Sequence, residues 1–135
     1  MRYAFLCIAI LFLFKVPKAQ LVLAKTDSVA TRSYKTSRVM YGTASYYADK
    51  FNGRETANGE VYDSKKMTAA CNVLPMGSWI KVTNLTNNRS VIVRTNDRLH
   101  IRMTRIVDLS RSAAEKLGYI GKGLTHVKVE VLERK

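Results

Sequence analysis

Apolar and polar positions divide the chain into three stretches. From Ala4 to Phe14 every residue is apolar, with Met1–Arg2–Tyr3 before the run and Lys15 after it. Such a run is shorter than the about 20 residues that span a bilayer, and it has the size of an export signal's hydrophobic region. Residues 1–24 are therefore assigned to a signal peptide, with Val22–Leu23–Ala24 a better cleavage site than Ala19. Residues 25–38 are polar and basic, show no apolar period, and are expected to form a flexible linker. From Val39 the pattern changes to short strand-like runs, and residues 39–135 are assigned to one domain.

Within that domain, Trp79–Thr83 and Ser90–Arg94 are rich in β-branched residues. They flank Asn84–Arg89, where Asn87–Asn88 tolerates the left-handed backbone of a hairpin turn. Trp79 is expected to pack inside. Tyr41–Tyr47 and Arg105–Leu109 predict two further strands. The alternation of Val127, Val129 and Val131 with Lys128, Glu130 and Leu132 predicts a last one. Ser110 is placed to cap a helix over Arg111–Leu117 that ends at Gly118, with Ala114 and Leu117 one turn apart on its apolar face. The sum is a mainly β domain, a barrel with one short helix.

Charge narrows the partners. The whole chain carries a formal net charge of +13. Arg2, Lys15 and Lys18 leave with the signal, so 20 basic residues still face 10 acidic ones. That excess favours an anionic partner. Export argues against nucleic acid, and the chain has no long amphipathic helix to suit a lipid surface, so a cell-wall polymer bearing carboxylates fits best. Cys7 lies in the signal without a lipoprotein processing box, so no lipid anchor is expected. Cys71 then remains alone, and stability must come from the core rather than from a disulfide. His100, His126 and Cys71 have no metal-ligand spacing, and neither metal nor cofactor is expected.

The candidate chemistry lies in Gly53–Arg54–Glu55–Thr56–Ala57–Asn58–Gly59–Glu60. Its two bracketing glycines favour a sharp loop that ends in a carboxylate. By residue type alone it reads as a solvated turn. It acquires more meaning beside Thr68–Ala69–Ala70–Cys71 and Thr95–Asn96–Asp97–Arg98, with which it is expected to form the floor of a polysaccharide groove.

These motifs, with Gly42–Thr43–Ala44–Ser45–Tyr46–Tyr47, Leu74–Pro75–Met76–Gly77, Val82–Thr83–Asn84–Leu85 and Arg105–Ile106–Val107–Asp108–Leu109–Ser110, occur in an order that resembles the rare lipoprotein A (RlpA-like) domain. The resemblance implies a six-stranded double-psi β-barrel. It also implies action on peptidoglycan in the bacterial periplasm or envelope, as a monomeric endolytic transglycosylase on glycan strands stripped of stem peptides. The alternative is a catalytically inactive, expansin-like wall-binding module. The family's proposed active-site set maps onto Glu60, Asp97 and, at the histidine position, Cys71; Leu99–His100 stand where a Gly–Pro pair is usual. The implied roles give Asp97 the acid-then-base function, with Glu60 orienting substrate or stabilising charge. Tyr47, Phe51, Arg54, Thr56, Asn58, Asn96 and Arg98 are the implied substrate contacts, although Tyr47 and Phe51 fit a core position equally well. Asp108 is expected to organise the start of the helix, and His100 to be an exposed loop histidine.

Overall fold

The Asn87–Asn88 turn forms as its sequence predicts. Asn88 has a φ of 59° and is the only non-glycine residue with positive φ among the described residues. It joins strands that pair antiparallel from Trp79↔Arg94 to Thr83↔Ser90. The structure, a computed structural model, describes residues 33–134. The signal peptide and the first part of the linker lie outside those residues.

Among the described residues six strands are present: β1 Tyr34–Tyr46, β2 Thr68–Ala70, β3 Trp79–Asn84, β4 Ser90–Asp97, β5 Val107–Leu109 and β6 Thr125–Arg134. They close in the order β1-β5-β2-β4-β3-β6. The β1–β5 and β2–β4 pairs are parallel and the others antiparallel. Closure removes the open sheet edges around the barrel, while Tyr34–Gly42 of β1 pair with β6 alone. Inward side chains, including Ala44, Ile80, Val82, Val93, Val107, Val127 and Val129, fill the interior at 0–1% exposure. Among the described residues no helix is long and apolar enough to cross a membrane.

The helix α1, Arg111–Leu117, has the predicted caps. Ser110 Oγ accepts from the Ala113 N–H at 3.4 Å, and Gly118 takes a φ of 76° at the C-terminal end. Ala113, Ala114 and Leu117 are fully buried against the barrel.

Three expectations need correction. The linker was drawn to Arg38, yet Tyr34 to Arg38 belong to β1 and pair with Arg134 to Val131 of β6. The long β6 leaves main-chain donors and acceptors that need partners, and an exposed polar strand satisfies them without any apolar period. Trp79 was expected inside, but its register turns it outward, 39% exposed, while Ile80 and Val82 fill the core. Finally, β2 was not foreseen as a strand. Its three residues are buried on both faces, so they show no alternation.

Candidate active site

The loop between Gly53 and Tyr62 is held by its own backbone. Gly53 and Gly59 both have a φ of 86°, a region that residues with a Cβ rarely occupy. The Gly53 N–H donates to the Tyr62 carbonyl at 2.8 Å, and the Thr56 N–H to the Glu60 carbonyl at 2.7 Å. Side chains add to this. Asn58 Oδ1 accepts from the Thr56 hydroxyl at 2.6 Å and from the Glu60 N–H at 3.1 Å. Thr56 and Asn58, expected to touch substrate, therefore spend these polar groups on the loop itself.

This loop delivers one donor to Asp97. The Ala57 N–H reaches Asp97 Oδ1 at 2.9 Å, and the Arg98 N–H reaches the same oxygen at 2.8 Å. The Tyr47 hydroxyl donates to Oδ2 at 2.6 Å. Burial first, and then this hydrogen bond, push the Tyr47 phenol well above its ordinary pKa, so it stays protonated and a donor. Tyr47 is fixed in turn by stacking on Tyr62, with centroids 4.4 Å apart, and by an edge contact with Phe51. Both Tyr47 and Phe51 line an open groove of about 600 Å³, together with Arg54, Thr56, Asp97, Arg98, His100, Arg105 and Asp108.

Strand register sets a second carboxylate in the same groove. Ala70 pairs with Asp97 on one side and with Asp108 on the other. The two aspartates thus stand two strand spacings apart, about 10 Å between Cα atoms. Only the small Ala70 lies between them on the strands. Arg105 holds Asp108 with two bonds, Nε to Oδ1 at 2.8 Å and Nη2 to Oδ2 at 3.0 Å. Asp108 was expected to organise a helix start, whereas its side chain lines the groove. The missed signal was the spacing from Arg105, three residues earlier, which suits a charged pair at a strand entrance.

Glu60 does not line this groove. It borders a neighbouring, more open concavity of about 560 Å³ with Val61, Lys66, Met67, Thr68, Trp79 and Arg94. Its carboxylate accepts from Asn96 Nδ2 at 3.1 Å, from Asn58 Nδ2 at 3.0 Å and from Arg94 Nη2. Asn96, Asn58 and Arg94 together hold Glu60 below the usual carboxylate pKa. Its work is to tie the loop to β4, and so to aim the Ala57 N–H at Asp97. A depressed pKa stabilises the fold above the unfolded value near 4.3, and the contribution is lost as pH falls through the folded value. Glu60→Gln is therefore expected to lower stability at neutral pH. The gap from wild type should close on acidification below about pH 4, as read by melting curves over pH; a gap that persists in acid would contradict the assignment.

Cys71 is also corrected. Its side chain is fully buried in the apolar core beside Leu74 and does not line the groove. Its backbone contributes instead, the N–H donating to the Asp97 carbonyl at 3.0 Å. Arg98 is likewise largely structural. Its Nη1 donates to the Leu74 carbonyl at 2.6 Å and to that of Cys71, pinning the turn behind Asp97. Asn96 is 3% exposed and turned to Glu60, away from solvent. His100 is exposed as expected, yet it lines the groove with its Nδ1 accepting from the Arg102 N–H at 3.3 Å. Cys71→Ala should cost about 1 kcal/mol of stability by leaving a small cavity. Turnover per folded molecule should change less than about twofold, and a larger loss in a steady-state assay would return the thiol to the chemistry.

Residues 39–129 match the family described as lytic transglycolase. The endolytic peptidoglycan transglycosylase RlpA of Pseudomonas aeruginosa (strain UCBPP-PA14) is 54% identical over 94 residues, 70% of this chain and 28% of that protein. Proteins of the same name from Haemophilus influenzae and Neisseria meningitidis serogroup A are 46% and 43% identical, covering 84% and 78% of this chain and 42% and 49% of theirs. The chain thus spans less than half the length of these relatives. Among solved structures, a Streptomyces papain inhibitor superposes with a TM-score of 0.59 at 21% identity, covering 75% of this chain and all of the other. The Clavibacter michiganensis expansin superposes with 0.58 at 18% identity, covering 71% and 51%. Those two likenesses concern the fold alone. With residues 39–129 matched and relatives up to 54% identical, the chain belongs to the RlpA-like lytic transglycolase family of double-psi β-barrels.

Proposed function

We propose that the protein is an endolytic peptidoglycan transglycosylase of the bacterial envelope. It cleaves MurNAc–GlcNAc linkages in stem-free glycan strands and leaves 1,6-anhydro ends. The observation that carries this reading is the Asp97 carboxyl group, fixed by Tyr47, Ala57 and Arg98 in an open groove that also holds Asp108.

The chemistry follows from that pair. Asp97 serves as the acid that gives a proton to the glycosidic oxygen as the bond to the muramyl C1 breaks. The Asp108 carboxylate, held by two bonds from Arg105, faces the positive charge that develops at the ring. The muramyl O6 hydroxyl attacks C1, and Asp97 takes the hydroxyl proton, which returns it to its starting state. No water is consumed. A Cα separation of about two strand spacings leaves room for a sugar ring between the two side chains. Glu60 is a positioning residue, acting through the loop that carries Ala57. His100 lines the same groove, and with the Cys71 thiol buried it is the only imidazole among the groove-lining residues.

Incubating the purified protein with stem-free glycan strands tests the reading by mass spectrometry. Anhydro-muramyl ends are expected. Glycan binding without new ends would instead indicate the expansin-like wall-binding module.

A further inference from the structure

The concavity beside Glu60 has no part in the chemistry above. Its floor is a cross-strand row, Thr68 on β2, Arg94 on β4 and Trp79 on β3, in directly paired positions. Trp79 is 39% exposed, and its strand neighbours Arg94 and Leu132 hold it on the sheet with part of the ring open to solvent. A half-exposed indole offers a flat apolar face of the kind that stacks on a sugar ring. Lys66 lines the same hollow and has no ion-pair partner among the described residues. Arg94 gives one nitrogen to Glu60, and its guanidinium has further N–H donors. The hollow therefore combines a stacking face with two cations and one already-paired carboxylate.

It neighbours the groove along β2. Thr68 lies two residues from Ala70 along β2, so the row begins about 7 Å from the Ala70–Asp97 pair. The Gly53–Tyr62 loop borders both hollows, with Thr56 in the first and Glu60 in the second. Thr68 and Ala70, two residues apart on one short strand, thus set the two hollows side by side.

We propose that this hollow is a second glycan subsite, in which Trp79 stacks on a sugar ring and Lys66, with Arg94 beside it, binds a free carboxylate carried by that strand. The inference rests on the function proposed above. Stem-free muramic acid exposes a lactyl carboxylate, whereas a peptide-bearing residue has that group tied up as an amide. The subsite thus selects stripped over substituted muramic acid at a position away from the scissile bond.

Trp79 is the chain's only tryptophan, so its emission reports on this hollow directly. The experiment titrates the Asp97→Asn protein, in which cleavage is suppressed, with stem-free glycan strands and with uncharged chitohexaose. Calorimetry and tryptophan emission are followed together, with and without Lys66→Gln. The expected result is an emission change that saturates with the calorimetric isotherm. Lys66→Gln should weaken stem-free glycan about threefold, the worth of a partly exposed ion pair, and leave chitohexaose unchanged. Calorimetric binding with silent emission would overturn the subsite while leaving the catalytic reading intact. So would a Lys66→Gln effect that is absent or equal for both glycans. No binding, together with no anhydro ends from the wild-type protein, would overturn the catalytic reading and the subsite with it.

Discussion

Asp97→Asn is expected to reduce anhydro-muramyl product formation at least about a hundredfold, the usual scale for losing a general acid–base group. Glycan affinity should stay within about threefold, because the groove walls are untouched. The substitution keeps the shape of the side chain. An amide oxygen still accepts the Ala57 and Arg98 N–H groups, which hold Asp97 Oδ1 at 2.9 and 2.8 Å, so the loop remains seated. The Nδ2 that replaces Oδ2 cannot accept from the Tyr47 hydroxyl, which must turn to accept instead, and the amide can neither carry a proton to the leaving oxygen nor take one from O6. Steady-state product formation by mass spectrometry, with affinity from calorimetry, separates these effects. A variant that keeps more than about a tenth of wild-type turnover would move the acid to another residue, and Asp108 in the same groove would be the first to examine.

The second large effect lies in stability, away from the groove. Asn84 is 2% exposed, and its side chain joins parts of the fold that are far apart in sequence. Its Nδ2 donates to the Leu117 carbonyl at 2.9 Å, at the end of α1. Its Oδ1 accepts from the Thr86 N–H at 3.0 Å and from the Thr125 hydroxyl of β6 at 2.8 Å. Asn84→Ala removes all of these bonds inside the protein, where water cannot readily replace them. The expected cost is about 3 kcal/mol, which lowers the Tm of a domain this size by about 15 °C. The Leu117 carbonyl keeps its bond from Asn87 Nδ2 at 2.8 Å, which limits the loss. Calorimetric melting of the two proteins checks the figure. A loss below about 1 kcal/mol would show that the site rearranges to satisfy the freed groups.

What was legible in the sequence was what local chemistry decides. Asn87–Asn88 specified a turn because asparagine accepts positive φ, and the Ser110 and Gly118 caps fixed both ends of α1. The valines of β6 declared their face by alternation. The errors came where partners distant in the chain decide. Nothing within Thr68–Ala70 signals a strand, since its partners are β4 and β5. Nothing within Tyr34–Arg38 signals one either, because β6 supplies the need for pairing.

The candidate site divides along the same line. Asp97, Tyr47, Phe51 and Arg54 line one groove. Glu60 belongs to the same loop but faces the next hollow, because Arg94 and Asn96 hold it there. Cys71 follows a buried strand, and its thiol enters the core instead of the groove. Asp108 was undervalued because its neighbourhood to Asp97 exists only through Ala70, which pairs with both.

The most direct test of the central claim is the chemical identity of the ends that the wild-type protein makes on stem-free glycan. The account predicts 1,6-anhydro-muramyl ends with no incorporation of solvent oxygen from labelled water, since O6 rather than water attacks C1. Reducing ends carrying the label, or tight binding with no new ends, would contradict it.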